Sequence, residues 1–118
     1  MRTDLRKAFG GSGEGLAYGY LSVLGYEVLA RNWRMGRCEV DLVCRDGSMF
    51  VFVEVKLRRS SLFGDAREVL RREQRLRLLA AAAVWMKAHP GAAYRFDVVA
   101  ITLTRGKPAI TLMRNAFS

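Results

Sequence analysis

The sequence predicts a mixed α/β domain in which helices flank a single sheet, with elements in the order αβββαββ. Three observations carry that expectation. Two segments repeat their apolar residues at helical spacing, five short segments are β-branched or aromatic, and Gly- or Pro-containing turns separate them. At 118 residues the chain has the length of one domain, and 51% apolar content gives it enough to bury a core. Residues 1–118 are therefore read as one domain, with residues 1–12 flexible.

The first helix runs from Glu14 to Leu24, where Ala17, Tyr20, Leu21 and Leu24 share a face. Ser12 is placed to cap its start, and Gly25 to end it. Tyr26 to Asn32 alternates as a strand, and so does Glu39 to Cys44. On the latter, Val40, Leu42 and Cys44 are expected on one face and Glu39, Asp41 and Val43 on the other. Asp46-Gly47 signals a hairpin. Met49 to Leu57 follows, apolar on both faces from Phe50 to Val53, as a central strand must be. A loop begins at Arg58. The second long helix extends from about Arg71 to Ala88, with Leu76, Leu79, Ala80, Ala83 and Val84 as its apolar set and Arg71, Arg72, Arg75 and Arg77 as its basic one. His89-Pro90-Gly91 ends it. Tyr94 to Leu103 and Ala109 to Met113 are the last two strands, joined by a turn over residues 104–108.

Several function classes are excluded early. No apolar run approaches the roughly 18 residues of a membrane span, and no secretory signal pattern opens the chain, so a soluble cytoplasmic protein is expected. Cys38 and Cys44 lie six residues apart without a neighbouring histidine, which is not a zinc spacing. The single histidine lies in a turn. Gly10-Gly11-Ser12-Gly13 lacks the Gly-Lys-Ser/Thr ending of a phosphate loop.

Charge is more informative. The 20 basic residues outnumber 11 acidic ones for a net charge of +9, and 16 of the 20 are arginine. Arginine's planar fork holds phosphate oxygens in pairs, so an arginine-rich chain suits a polyanion such as nucleic acid. Within this basic frame lies an acidic island. Residues 38–56 carry −2, with Glu39, Asp41, Asp46 and Glu54 set against Arg45 and Lys56.

That island contains the candidate chemistry. Asp41 and Glu54 lie on successive strands thirteen residues apart, and Lys56 shares a face with Glu54. Two strand-borne carboxylates can share Mg²⁺ or Mn²⁺, and the lysine can orient a water or stabilise phosphate charge. Glu14, at a helix start, can add a third carboxylate. The structural alternative makes Glu54 and Lys56 a surface ion pair worth at most about 1 kcal/mol. Arg34, Arg58, Arg59, Arg72 and Arg75 are the candidate nucleic-acid contacts. Trp33 either stacks beside them or packs on the sheet. Asp97 reads as structural, paired with Arg95 or Arg31.

A set of short motifs then carries a resemblance. Gly13-Glu14, Gly25-Tyr26, Arg31-Asn32-Trp33-Arg34, Glu39-Val40-Asp41-Leu42-Val43, Phe52-Val53-Glu54-Val55-Lys56-Leu57-Arg58, Phe63-Gly64 and Arg95-Phe96-Asp97-Val98-Val99 occur in this order. Together they resemble the YraN family of small bacterial proteins. The resemblance implies a restriction-endonuclease-like fold with a PD-(D/E)xK site, related to archaeal Holliday-junction resolvases. It assigns Asp41, Glu54 and Lys56 to the motif positions and Glu14 to an additional metal ligand. The sequence departs from the family at Cys38, where a glycine is usual, and at Gln74, where a lysine is usual; Arg72 or Arg75 could replace that lysine. The expected function is a Mg²⁺- or Mn²⁺-dependent endonuclease acting on branched or structured DNA in repair or recombination, working as a homodimer, with RNA still open as a substrate. The alternative is a non-catalytic nucleic-acid-binding module on the same fold.

Overall fold

Gly47 takes a φ of +63° as the first of two loop residues between Asp46 and Met49, the position where a type II′ hairpin turn needs glycine. Gly25, at φ +95°, follows the first helix in the same left-handed region and ends it. These punctuation marks set the chain's order. In the computed structural model the described residues are 13–58, 71–104 and 107–117. The readings placed on residues 1–12, on Ser12 as a cap, on Arg59 and on Phe63-Gly64 lie outside them.

Among the described residues there are two helices, α1 (Gly13–Val23) and α2 (Arg72–Met86). The strands are β1 (Glu27–Met35), β2 (Cys38–Asp46), β3 (Met49–Arg58), β4 (Tyr94–Thr104) and β5 (Lys107–Phe117). They form one open sheet in the order β1-β2-β3-β4-β5, antiparallel except for the parallel β3–β4 pair that the α2 crossover joins. The expected order αβββαββ is the observed one. Neither helix is long and apolar enough to cross a membrane.

Each face of the sheet carries its own core. Leu42, Cys44, Val51, Val53, Val99 and Ile101 pack beneath Leu16, Ala17 and Leu21 of α1. On the opposite face Val43, Phe50, Phe52, Phe96 and Val98 pack beneath Leu78, Ala81 and Ala82 of α2. Strand period two explains the division, because successive residues of β3 point to opposite layers. Val51, Phe52 and Val53 are all fully buried, as expected of a central strand.

Two facial expectations are corrected. Val40 packs with Val43 under α2, whereas Leu42 and Cys44 face α1, so Val40, Leu42 and Cys44 do not share a face. The change of face falls opposite Asn32, which sits at φ +51° between the Arg31–Leu42 and Trp33–Val40 pairs. Helix α2 buries Leu78, Ala81 and Ala82, while Leu76 is 52% exposed and Leu79 36% exposed. Leu78 and two of the four alanines thus form the buried face, and Leu76 and Leu79 turn outward.

Candidate functional site

Pairing of β2 with β3 runs from Asp46–Met49 to Leu42–Val53 and stops there. Beyond that point the two strands splay. A strand amide that loses its ladder partner needs another acceptor, and Asp41 Oδ2 accepts the Val55 N–H at 2.8 Å. The fork of the sheet thereby fixes the Asp41 carboxylate beside β3. Glu54 precedes that amide and Lys56 follows it. Their side chains meet, Nζ to Oε1, at 3.4 Å. This is the pair that the structural alternative foresaw, but it is not a surface pair: the two side chains are only 15% and 18% exposed.

Asp41 and Glu54 open onto a cleft of about 220 Å³ between the sheet and α2, which Glu39, Gln74, Arg77 and Leu78 also line. Burial pushes the Asp41 carboxyl up, and the nearby Glu54 charge pushes it further; the Val55 hydrogen bond offsets part of this, leaving it at about 7. Glu14 and Glu39 act on it in the same direction as Glu54, more weakly.

The other expected site residues divide. Glu14 lies in the first turn of α1 and reaches Asp41 only electrostatically. Among the described residues no three His, Cys, Asp or Glu side chains form a group that could hold a metal ion, so the expected trio of Asp41, Glu54 and Glu14 is present as a pair with an outlier. Arg34 is ion-paired with Glu39 at 3.3 Å, at the cleft's rim. Arg72 and Arg75 line a separate groove with Leu76, Leu79 and Phe117, so neither stands on the cleft wall beside Gln74. The Arg58 side chain and all of Arg59 lie outside the described residues. Trp33 packs edge-on against Trp85, with centroids 5.5 Å apart, as a core contact. Arg77, read from the sequence only as one of the basic residues of the second long helix, lines the cleft although it is not among the candidate contacts. Helical spacing from Gln74 places it one turn on, beside Leu78, and a correct choice of buried face would have found it.

A family model described as "Uncharacterised protein family UPF0102" matches residues 13–101. The chain belongs to the UPF0102 family. This is the family that the sequence motifs resemble, and the match includes all of the cleft residues. A UPF0102 protein of Anaeromyxobacter dehalogenans (strain 2CP-C) is 45% identical over 116 residues, covering 97% of this chain and 87% of the relative. One from Mycolicibacterium vanbaalenii is 41% identical over 112 residues, covering 92% and 93%. One from Chloroherpeton thalassium is 39% identical over 120 residues, covering 100% and 87%.

The raised Asp41 carboxyl makes this UPF0102 protein's stability depend on pH. Its ordinary value is 3.8, and in the fold it is about 7. Between those limits the folded chain keeps a proton that the unfolded chain has lost, so stability falls as pH rises through that window. Asparagine can still accept the Val55 N–H without the charge. Asp41→Asn is therefore expected to stabilise the protein at pH 8, on the order of 2 kcal/mol, and to change little at pH 4. Urea melts at the two pH values check this; equal effects at both would show that charge is not the cause.

Proposed function

We propose that this protein is a divalent-metal-dependent endonuclease of the restriction-endonuclease-like fold, acting on branched or structured DNA. One observation carries the reading: the splay of β2 from β3 sets Asp41 and Glu54 side by side on a cleft, with Lys56 against Glu54. The layered α/β arrangement around a doubly buried β3 supports the fold assignment, and the net charge of +9 supports a polyanionic substrate.

The donor set fits a hard cation. Two carboxylate-bearing side chains with no thiol or imidazole suit Mg²⁺ or Mn²⁺, which retain several waters and need few protein ligands. Held by Asp41 and Glu54, such an ion would supply charge neutralisation at the scissile phosphate and a more acidic water. The chain's own residues do the rest. Asp41 must shed its proton for the pair to act as ligands, so metal binding should weaken as pH falls. Lys56 positions positive charge next to Glu54, where it can orient the attacking water or meet charge developing on phosphate oxygens. Its pairing with Glu54 keeps it from wandering.

The second reading, a non-catalytic nucleic-acid-binding module, has its own support: Glu14 stands apart, and no group of three metal-ligating side chains occurs among the described residues. Two measurements separate the readings. Mn²⁺ is expected to raise the melting temperature by a few degrees at pH 8 and less at pH 6, and Asp41→Asn should remove the shift. Linear, flap and four-way-junction DNA, with matched RNA, are incubated with Mn²⁺ alongside a Lys56→Ala control. Cleavage that the control lacks supports the endonuclease, and preference for the junction would point to two copies cutting symmetric strands. Salt-sensitive DNA binding with no Mn²⁺ shift and no cleavage would establish the module instead.

A further inference from the structure

We infer that Arg77 is the residue of α2 that grips a backbone phosphate of the substrate beside the Asp41–Glu54 pair. This rests on the proposed nucleic-acid substrate. The cleft's sheet wall presents Glu39, Asp41 and Glu54, three carboxylates that repel a phosphodiester. Arg34 is already ion-paired with Glu39 of that wall. The helix wall presents Gln74, Arg77 and Leu78. Gln74 turns its side-chain oxygen back to the Arg71 N–H at 3.2 Å, closing the start of α2 rather than supplying a charge. Arg77 is thus the cation lining the cleft, and among the described residues no carboxylate is ion-paired with it.

The rotation of α2 explains why this arginine and not its neighbours. With Leu78, Ala81 and Ala82 buried, the helix turns position 77 toward the fork of β2 and β3. Positions 72 and 75 turn to the groove beside Leu76 and Leu79. An exposed guanidinium on the same cleft as a carboxylate pair can take two non-bridging oxygens of one phosphate, which holds the backbone against the sheet wall.

The test uses the full chain carrying Glu54→Gln, so that DNA stays whole and binding can be read with Mg²⁺ present. Labelled four-way-junction and duplex DNA are titrated across a NaCl series. Adding Arg77→Ala should weaken binding several-fold and lower the slope of log affinity against log salt by about one, as loss of a single phosphate contact requires. Alanine is the better helix former, so α2 is retained and circular dichroism should be unchanged. Arg77→Lys should keep the slope while losing part of the affinity. Arg72→Ala in the same background should cost less than Arg77→Ala. Unchanged affinity and slope on Arg77→Ala, or a larger loss from Arg72→Ala, would overturn the assignment. Failure of the endonuclease reading shows elsewhere, as a wild type that leaves every substrate intact with Mn²⁺, and the binding slopes still decide the role of Arg77.

Discussion

Arg95→Met is expected to destabilise the protein by about 3–5 kcal/mol, a large share of a domain's usual 5–15 kcal/mol. The reason is the partner it leaves behind. Asp97 is fully buried in β4, and its two oxygens accept from Arg95 Nε at 3.0 Å, from the Asn115 N–H at 2.9 Å and from the Tyr26 hydroxyl at 3.0 Å. Arg95 also reaches Asp46 at 3.0 Å, at the β2–β3 hairpin. Burial works against the Arg95 charge, but its hydrogen bonds to Asp97 and Asp46 more than offset this and hold its pKa above the ordinary value. Without the guanidinium, the Asp97 carboxylate is buried with neutral donors alone. Denaturant midpoints measure the loss. Arg95→Met/Asp97→Asn should recover part of it, since the uncompensated charge is then gone while asparagine can still accept the Asn115 N–H. A double variant no more stable than Arg95→Met would show that lost packing, not the stranded charge, dominates.

The same network shows what a sequence can and cannot disclose. Asp97, set between Phe96 and Val98 in an otherwise apolar strand, is legible as structural, because a buried carboxylate needs partners. Of the two partners expected, Arg95 is the one; Arg31 instead lies over the Tyr18 ring, 4.9 Å from its centroid. The third partner is not legible. It depends on a bulge in β5, where Asn115 adopts φ +52° and the register against β4 shifts between Phe96 and Val98, and no local composition announces that. Strand β3 is readable because Phe50 to Val53 tolerate no wet face. Helix α2 resists reading because residues 78–84 are apolar or alanine throughout, so helical period has no polar contrast against which to mark a face. The cost of that ambiguity falls on the site: choosing Leu76 and Leu79 as the buried stripe turns Arg77 away from the carboxylates. Asp41, Glu54 and Lys56 are easier, because charged residues crowd around the end of an obligatorily buried run. What their spacing does not reveal is the splay, and hence that Asp41 reaches its place by accepting the Val55 N–H.

On the proposed endonuclease reading, Glu54→Gln and Lys56→Ala should each slow DNA cleavage by about 10²–10⁴-fold while leaving DNA affinity within a few-fold of wild type. Glutamine keeps the size of glutamate but loses the ligand charge, so it tests chemistry with the least disturbance of a half-buried strand end. Lys56→Ala removes the ammonium that lies 3.4 Å from Glu54 Oε1 and leaves the carboxylate pair in place, so the Mn²⁺-induced thermal shift should survive it. That contrast separates the two roles: loss of the shift follows the ligands, and loss of rate without loss of the shift follows the lysine. Because the two side chains work as one pair, their effects should not add. Glu54→Gln/Lys56→Ala is expected to be no slower than the slower single variant. Multiplying rate losses would mean that Glu54 and Lys56 act in separate steps, and single variants as fast as wild type would place catalysis outside this cleft altogether. Stability supplies an independent check on the same geometry. Asp41 is pushed up first by burial and then by the Glu54 charge, so Glu54→Gln should lower its proton affinity and shrink the fall in stability between about pH 4 and pH 7. A variant that slows cleavage and shrinks that pH dependence together is the result expected of Asp41 and Glu54 sharing one electrostatic site.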